Sequence, residues 1–202
     1  MKKCYLVGAG DMHQGFTPAP DSFVIAADGG YKHLLNFGIT PNLFVGDGDS
    51  LGSFPDSVEC IRHKVQKDET DMHLAYLEGR RRGYQSFELY GGTGGRIDHT
   101  LANFSLLLYA KKLGDNIEIF ADTWRAVMIL NESITLPCHE GKNLSVFAYG
   151  DTAEGVSVKG ALYEAENITL KNDFALGVSN SFLSSDVTIS VSSGALLIIY
   201  EV

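Results

Sequence analysis

Along the first part of the chain, short apolar runs alternate with segments of helical periodicity. Cys4 to Val7, Phe23 to Ala27, Leu43 to Val45, Phe87 to Tyr90 and Ile117 to Phe120 are mainly apolar and bounded by turn residues, the pattern of buried strands. Three helices are expected between them. In the clearest, Ile97, Leu101, Phe104 and Leu108 recur at helical spacing as one apolar stripe, with Lys111 and Lys112 in the closing turn and Gly114 beyond. Thr70 stands where it can cap the preceding helix, and Arg80, Arg81 and Arg82 before Gly83 suit the negative end of its dipole. Strands alternating with helices predict an α/β domain with a mostly parallel sheet covered by helices.

After about residue 130 the pattern changes. Ile134 to Leu136, Leu144 to Tyr149, Val156 to Val158, Ile168 to Leu170, Val187 to Val191 and Ala195 to Tyr200 are short strand-like runs separated by glycine, asparagine and serine turns. No helical period of useful length remains. The expectation is an α/β domain over residues 1–130 and an all-β sandwich or barrel over 131–202, packed together without a flexible linker.

Charge and composition remove several functions. With 25 acidic against 16 basic residues the net charge is −9, the wrong sign for a surface that neutralises nucleic-acid phosphates. Three cysteines, Cys4, Cys60 and Cys138, are odd in number and lack metal-ligand spacing, which fits small core residues in a reducing compartment. The run Tyr5 to Gly10 is too short for a signal-peptide core, and no apolar stretch approaches the ~20 residues of a membrane span. A cytoplasmic protein with neither a nucleic-acid nor a membrane partner is expected. Glycine, 22 of 202 residues, is rich enough to imply many tight turns and close backbone approaches.

The chemistry gathers in loops. Asp28-Gly29-Gly30 follows one apolar run, and Asp47 and Asp49 follow another. Residues just past the carboxyl ends of strands in an open α/β sheet converge on the ligand crevice. Asp71 and Asp98 fall in the first turns of helices, so five aspartates from four loops face one cleft if the strands pair as expected. Taken singly each is an ordinary turn former or helix-dipole partner. Together they repel one another unless a cation sits among them. The run Gly91-Gly92-Thr93-Gly94-Gly95 fits neither the Walker nor the dinucleotide spacing. Arg96 at its end nevertheless sets a guanidinium beside free helix N–H groups, a favourable environment for phosphate.

Asp28-Gly29-Gly30, Gly46-Asp47-Gly48-Asp49-Ser50, Lys67-Asp68-Glu69-Thr70-Asp71, Gly91 to His99 and Gly177-Val178-Ser179-Asn180-Ser181-Phe182 resemble, in order and spacing, the bacterial thiamine pyrophosphokinase family over nearly the whole chain. The resemblance implies an N-terminal domain for ATP and Mg²⁺, a C-terminal β-sandwich that helps bind thiamine, and a homodimer with active sites at the subunit interface. It implies transfer of pyrophosphate from ATP to the thiamine hydroxyl, with AMP released. It makes Asp47, Asp49 and Asp71 the metal and catalytic carboxylates, and Asp98 a further acidic member of the site. Asp28, Ser50, Lys67, Thr70 and Arg96 become ATP and phosphate contacts, and Ser179 and Asn180 the thiamine-contacting pair. Asp71 or Asp98 is the candidate acceptor of the hydroxyl proton. The family often has glutamate where this chain has His73. Two rival readings are a ligand sensor without catalysis and a metal-dependent phosphohydrolase. Trp124 is read as filling a domain interface, and the histidines other than His99 as ordinary surface or core residues.

Overall fold

The computed structural model describes residues 2–48, 58–62 and 68–202. Asp49, Ser50 and Lys67 lie outside the described residues. The chain forms two compact units, Met1–Leu106 with Gly114–Asp122, and Leu107–Leu113 with Thr123–Val202.

The first unit runs β1 (Cys4–Val7), β2 (Phe23–Ala27), α1 (Gly30–Asn36), β3 (Leu43–Gly46), β4 (Glu59–Arg62), α2 (Asp71–Arg81), β5 (Ser86–Tyr90), α3 (Ile97–Lys112) and β6 (Asn116–Phe120). Its strands lie in the order β4-β3-β2-β1-β5-β6, and each neighbouring pair is parallel. All four residues of β1 are buried, as a strand covered on both faces requires. On one face Tyr5, Val7, Val24, Ala26, Phe44 and Tyr90 pack with Leu34 of α1, with Met12 and Phe16 of the loop after β1 closing the cluster. On the other, Tyr76 of α2 meets Phe87 at 4.9 Å between ring centroids. Gly79 lies so close to the sheet on that face that a Cβ would come within 2.7 Å of the Phe87 ring. Cys4 is buried in this layer, and burial pushes its thiol up to about 12. The other two cysteines are also free thiols.

Helix α2 begins as expected: the Thr70 hydroxyl accepts from the His73 N–H at 3.2 Å. Near its end, Tyr76 and Arg80 both donate to one oxygen of the buried Asp115, at 2.6 and 2.8 Å, tying the helix to the turn before β6. Strand β4 escapes sequence reading because Glu59-Cys60-Ile61-Arg62 has no apolar run, and only pairing with β3 makes it a strand.

The stripe expected on α3 is only partly covered, with Phe104 and Leu108 half-buried. Ile97 is 74% and Leu101 57% exposed, while Asn103, Leu106, Leu107 and Ala110 form the buried face. This helix is apolar around much of its circumference, so periodicity alone leaves its rotation open.

The second unit is built on β7 (Trp124–Leu130), β8 (Ser133–Leu136), β9 (Asn143–Lys159), β10 (Ala165–Leu170), β11 (Asn180–Ser181), β12 (Val187–Ser190) and β13 (Ser193–Glu201). Strand β7 pairs antiparallel with β13 along its whole length, so the strand preceding Asn131 belongs to this unit. The runs 144–149 and 156–158 are one 17-residue strand, bent near Gly150 and Gly155, whose positive φ values of 92° and 65° allow the bend without ending the pairing. One length of β9 pairs with β13 and β11, and another with β10 and β12. Between the resulting layers lie Leu144, Val146, Val156, Val158, Phe182 and Ile198. No helix of the described residues is long and apolar enough to cross a membrane.

Candidate active site

The loops at the carboxyl ends of the first unit's strands enclose a cavity of about 920 Å³. The loop after β1 supplies Gly8, Gly10 and Asp11 to its wall, the loop after β2 supplies Asp28, and that after β5 supplies Gly91 to Arg96 apart from Thr93. Two of these loops are hydrogen-bonded backbone to backbone. The N–H groups of Gly8, Gly10 and Asp11 donate to the carbonyls of Tyr90, Gly91 and Thr93 at 2.8, 2.8 and 2.7 Å. A Cβ on Gly10 would lie 2.2 Å from the Thr93 carbonyl oxygen, so glycine is required there by contact with the facing loop. Behind the glycine run, buried Asn103 of α3 donates to the Gly92 carbonyl at 2.6 Å and holds it in place. Asp28 has φ of 43°, a conformation aspartate tolerates better than most residues, where the chain turns into α1. Gly30 follows against β1, where a Cβ would strike the Val7 carbonyl oxygen at 1.9 Å.

Two helix starts complete the wall. Thr70 and Asp71 come from α2, Arg96 and His99 from α3. The Arg96 guanidinium grips the Asp98 carboxylate with two nitrogens, Nε at 3.1 Å and Nη2 at 2.5 Å. That hydrogen bond, assisted by the His99 N–H at 3.1 Å, lowers the Asp98 pKa to about 2. Asp98 itself lies outside the cavity wall and faces solvent. It is therefore a poor proton acceptor and an effective anchor for Arg96.

Of the residues expected at the site, Asp28, Thr70, Asp71 and Arg96 line one cavity. Asp47 follows β3 next to the Asp28 turn, where Asp28 N–H donates to the Val45 carbonyl at 2.9 Å, but it is not part of the wall. Ser179 and Asn180 belong to the second unit. The Asn180 carboxamide is buried and engaged, accepting from the Tyr163 and Ser181 N–H groups and donating to the Tyr163 carbonyl at 2.7 Å. Ser179, at φ 61°, is exposed beside it.

Sequence reasoning missed Asp11, Gln14, His33, Asn36 and Asp122 in the same wall. Asp11 follows β1 and Asp122 follows β6, so the rule that found Asp28 and Asp47 applied to them as well. His33 and Asn36 carried no local signal, since only the docking of α1 turns them toward the cavity. Asp122 also accepts from the Gln14 N–H at 3.5 Å and lies 3.2 Å from His13 Nδ1, joining the loops after β1 and β6.

The acidic donors in this wall, Asp11, Asp28, Asp71 and Asp122, are all oxygen donors, the chemistry of a hard divalent cation and not of zinc. Among the described residues no three His, Cys, Asp or Glu side chains converge on one metal position.

The family model described as "Thiamin pyrophosphokinase, catalytic domain" matches residues 19–121, half of the chain, and "Thiamin pyrophosphokinase, vitamin B1 binding domain" matches residues 131–196. The chain belongs to the thiamin pyrophosphokinase family. It is thus an enzyme of the class that transfers pyrophosphate to thiamine. It is 26% identical to the thiamine pyrophosphokinase of Bacillus subtilis (strain 168) over 182 residues, 87% of this chain and 85% of that one. It is 25% identical over 195 residues to thiamin pyrophosphokinase 1 of Caenorhabditis elegans, covering 85% and 76% of the two chains. Among solved structures, thiamin pyrophosphokinase from Geobacillus thermodenitrificans superposes with a TM-score of 0.84 at 27% identity, over 99% and 97% of the chains. That from Bacillus subtilis gives 0.87 at 23% identity over 99% of both, which establishes the likeness of fold. The catalytic-domain model falls on the α/β part of the chain and the vitamin B1 binding model on the all-β part.

Proposed function

We propose that the first unit binds ATP with Mg²⁺ and transfers its terminal two phosphates, as one pyrophosphoryl group, in line to the hydroxyl of thiamine, releasing AMP. The observation that carries this reading is the shared cavity of Asp28, Thr70, Asp71, Arg96 and the glycine turn in a chain of this family. Asp71 and Asp47, with Asp49 beyond the described residues, would hold Mg²⁺, which supplies charge neutralisation on the polyphosphate when bound. Little covalent work is left to the protein, so rate comes from positioning and electrostatics. Arg96, oriented by Asp98, presents its outer nitrogens to phosphate oxygens at the start of α3. Thr70 and the first N–H groups of α2 do the same from a second direction, with Ser50 and Lys67 as further phosphate contacts.

The hydroxyl oxygen of thiamine forms a bond to the β-phosphorus, the bond from that phosphorus to the α-phosphate oxygen breaks, and AMP leaves. The hydroxyl proton passes to Asp71, because Asp98 is held by Arg96 in its ionised form. Thiamine is bound by the second unit through the turn of Ser179 and Asn180, in which Ser179 offers a free-facing hydroxyl and Asn180 fixes the backbone. A homodimer completes the site. Exposed Ile97 and Leu101 beside the cavity, and Tyr163 and Phe174 on the second unit, offer apolar surface for that association.

AMP formation measured with and without thiamine tests the reading. Thiamine-dependent AMP together with thiamine diphosphate is expected. Phosphate release without thiamine indicates a phosphohydrolase, and ligand binding without AMP release indicates a sensor.

A further inference from the structure

The cavity crosses the carboxyl edge of the sheet from one face to the other, and its two ends differ in chemistry. Asp71, Met72, Arg96 and Asn103 come from α2 and α3, the former packed on the Cys4 and Phe87 face. Met12, Gln14, His33, Asn36 and Phe37 come from α1 and the loop after β1, on the face of Tyr5, Leu34 and Phe44. The first end carries the guanidinium and helix N–H groups suited to polyphosphate. The second contains no lysine or arginine. It pairs two apolar side chains, Met12 and Phe37, with two carboxamides, and Phe16 packs edge-on to Phe37 at 6.4 Å, setting the loop against α1. His33 and Asn36 are one helical turn apart and share a face of α1. Neither the Gln14 nor the Asn36 side chain hydrogen-bonds to another described residue, whereas the third carboxamide of the wall, Asn103, is committed to Gly92.

We propose that Gln14 and Asn36, flanked by Met12 and Phe37, form the seat of the nucleotide base and select adenine. The proposal rests on the ATP reading above and adds which residues recognise the nucleoside. A carboxamide sets one donor and one acceptor side by side, matching an exocyclic amino group next to a ring nitrogen, as on the adenine edge. Phe37 and Met12 supply the apolar faces that a planar base requires. The aminopyrimidine of thiamine carries a similar edge, but the vitamin B1 binding model matches residues 131–196, and none of the seat residues lies there. The base also has to share a cavity with the polyphosphate, and this end is continuous with the Arg96 end.

The test compares Gln14→Ala, Asn36→Ala and the double variant with the unaltered protein, using ATP, GTP and purine riboside triphosphate, which lacks the exocyclic amino group. In the unaltered protein, purine riboside triphosphate should have a KM about tenfold above that of ATP, in line with loss of one bidentate contact. Each single variant should raise the KM for ATP by about tenfold, and the double variant should accept ATP and purine riboside triphosphate almost equally. Turnover at saturation and the KM for thiamine should stay within about twofold, since a base contact made equally in ground and transition states is uniform binding. Calorimetric binding of AMP and purine riboside monophosphate reads the same discrimination without turnover. It therefore decides the seat even if thiamine diphosphate is not the product, an outcome that would sink the ATP-to-thiamine reading separately. Both side chains are exposed, so the variants should retain the unaltered melting temperature. Unchanged discrimination between AMP and its analogue in the double variant would overturn the proposal. A raised KM for thiamine with that for ATP unchanged would overturn it too, and would assign the seat to the aminopyrimidine.

Discussion

Replacing Gly10 by alanine tests whether the pairing of the loops after β1 and β5 shapes the site. A Cβ on Gly10 would lie 2.2 Å from the Thr93 carbonyl oxygen and 2.9 Å from that of Gly91, where ordinary contact begins at 3.4 Å. Both are backbone atoms, so no side chain can swing aside, and the loops must part by roughly 1 Å. Parting them strains the bonds from the Gly10 and Asp11 N–H groups, now 2.8 and 2.7 Å long. At about 1 kcal/mol for each hydrogen bond, with some residual overpacking, the expected destabilisation is about 2–4 kcal/mol. The glycine run that ends at Arg96 shifts by the same distance, and a 1 Å misplacement of catalytic groups costs about 10²-fold in rate. Thermal unfolding should therefore show a melting temperature lowered by roughly 4–16 °C, at about 2–4 °C per kcal/mol for a chain of this size. The kcat/KM for ATP should fall about 10²-fold at a temperature where the variant is fully folded. Gly83→Ala, a glycine at φ 89° past the end of α2 with no atom near its Cβ position, carries backbone strain without loop collision and should lose stability with little loss of rate. A Gly10→Ala protein with unaltered melting temperature and kcat/KM would refute the reasoning.

Asp71→Asn should lower kcat by about 10²-fold or more while the fold survives, and wild-type turnover at saturating Mg²⁺ would remove Asp71 from the mechanism. Arg96→Lys keeps the charge but loses the planar fork that engages both Asp98 oxygens, so ATP affinity or turnover should drop clearly; unchanged kinetics would make Arg96 structural. Asp98 has a folded-state pKa of about 2, below its ordinary 3.8, so any stability linked to its charge is present above the ordinary value and is lost only as pH falls through about 2. Asp98→Asn should accordingly leave the shape of the kcat profile against pH unchanged while raising the KM for ATP; a changed profile would make Asp98 the proton acceptor. Tyr76→Phe removes a 2.6 Å bond to buried Asp115, whose Oδ1 has no hydrogen-bond partner among the described residues, and should cost about 1.5–3 kcal/mol in urea unfolding with activity retained; an unchanged midpoint would mean that Arg80 alone satisfies the carboxylate.

Local chemistry was enough to determine several elements of this protein. Cys4–Val7 and Phe23–Ala27 are strands because each is a short apolar run with turn residues on both sides, a pattern that buries well only between two layers. The start of α2 follows from Thr70, and the first-turn positions of Asp71 and Asp98 follow from helix starts that are likewise local. The ordered acidic and glycine motifs were sufficient to indicate the family. Other features depend on partners distant in the chain. Glu59-Cys60-Ile61-Arg62 becomes a strand only beside β3, and residues 143–159 form one strand only because positive φ at Gly150 and Gly155 lets a single chain serve two sets of partners. The apolar stripe of α3 was expected inward, yet Ile97 and Leu101 face out, because a helix with apolar residues on most sides takes its rotation from what it packs against. The same holds at the site. Aspartates look alike in sequence: Asp98 is set apart by a local clamp from Arg96 two residues away, whereas the pairing of strands distant in the chain is what brings Asp11, Asp28 and Asp122 to one wall with Asp71. Propensity and patterning act over a few residues, whereas the charge state and access of a carboxylate are set by whatever the fold places within a few ångströms of it.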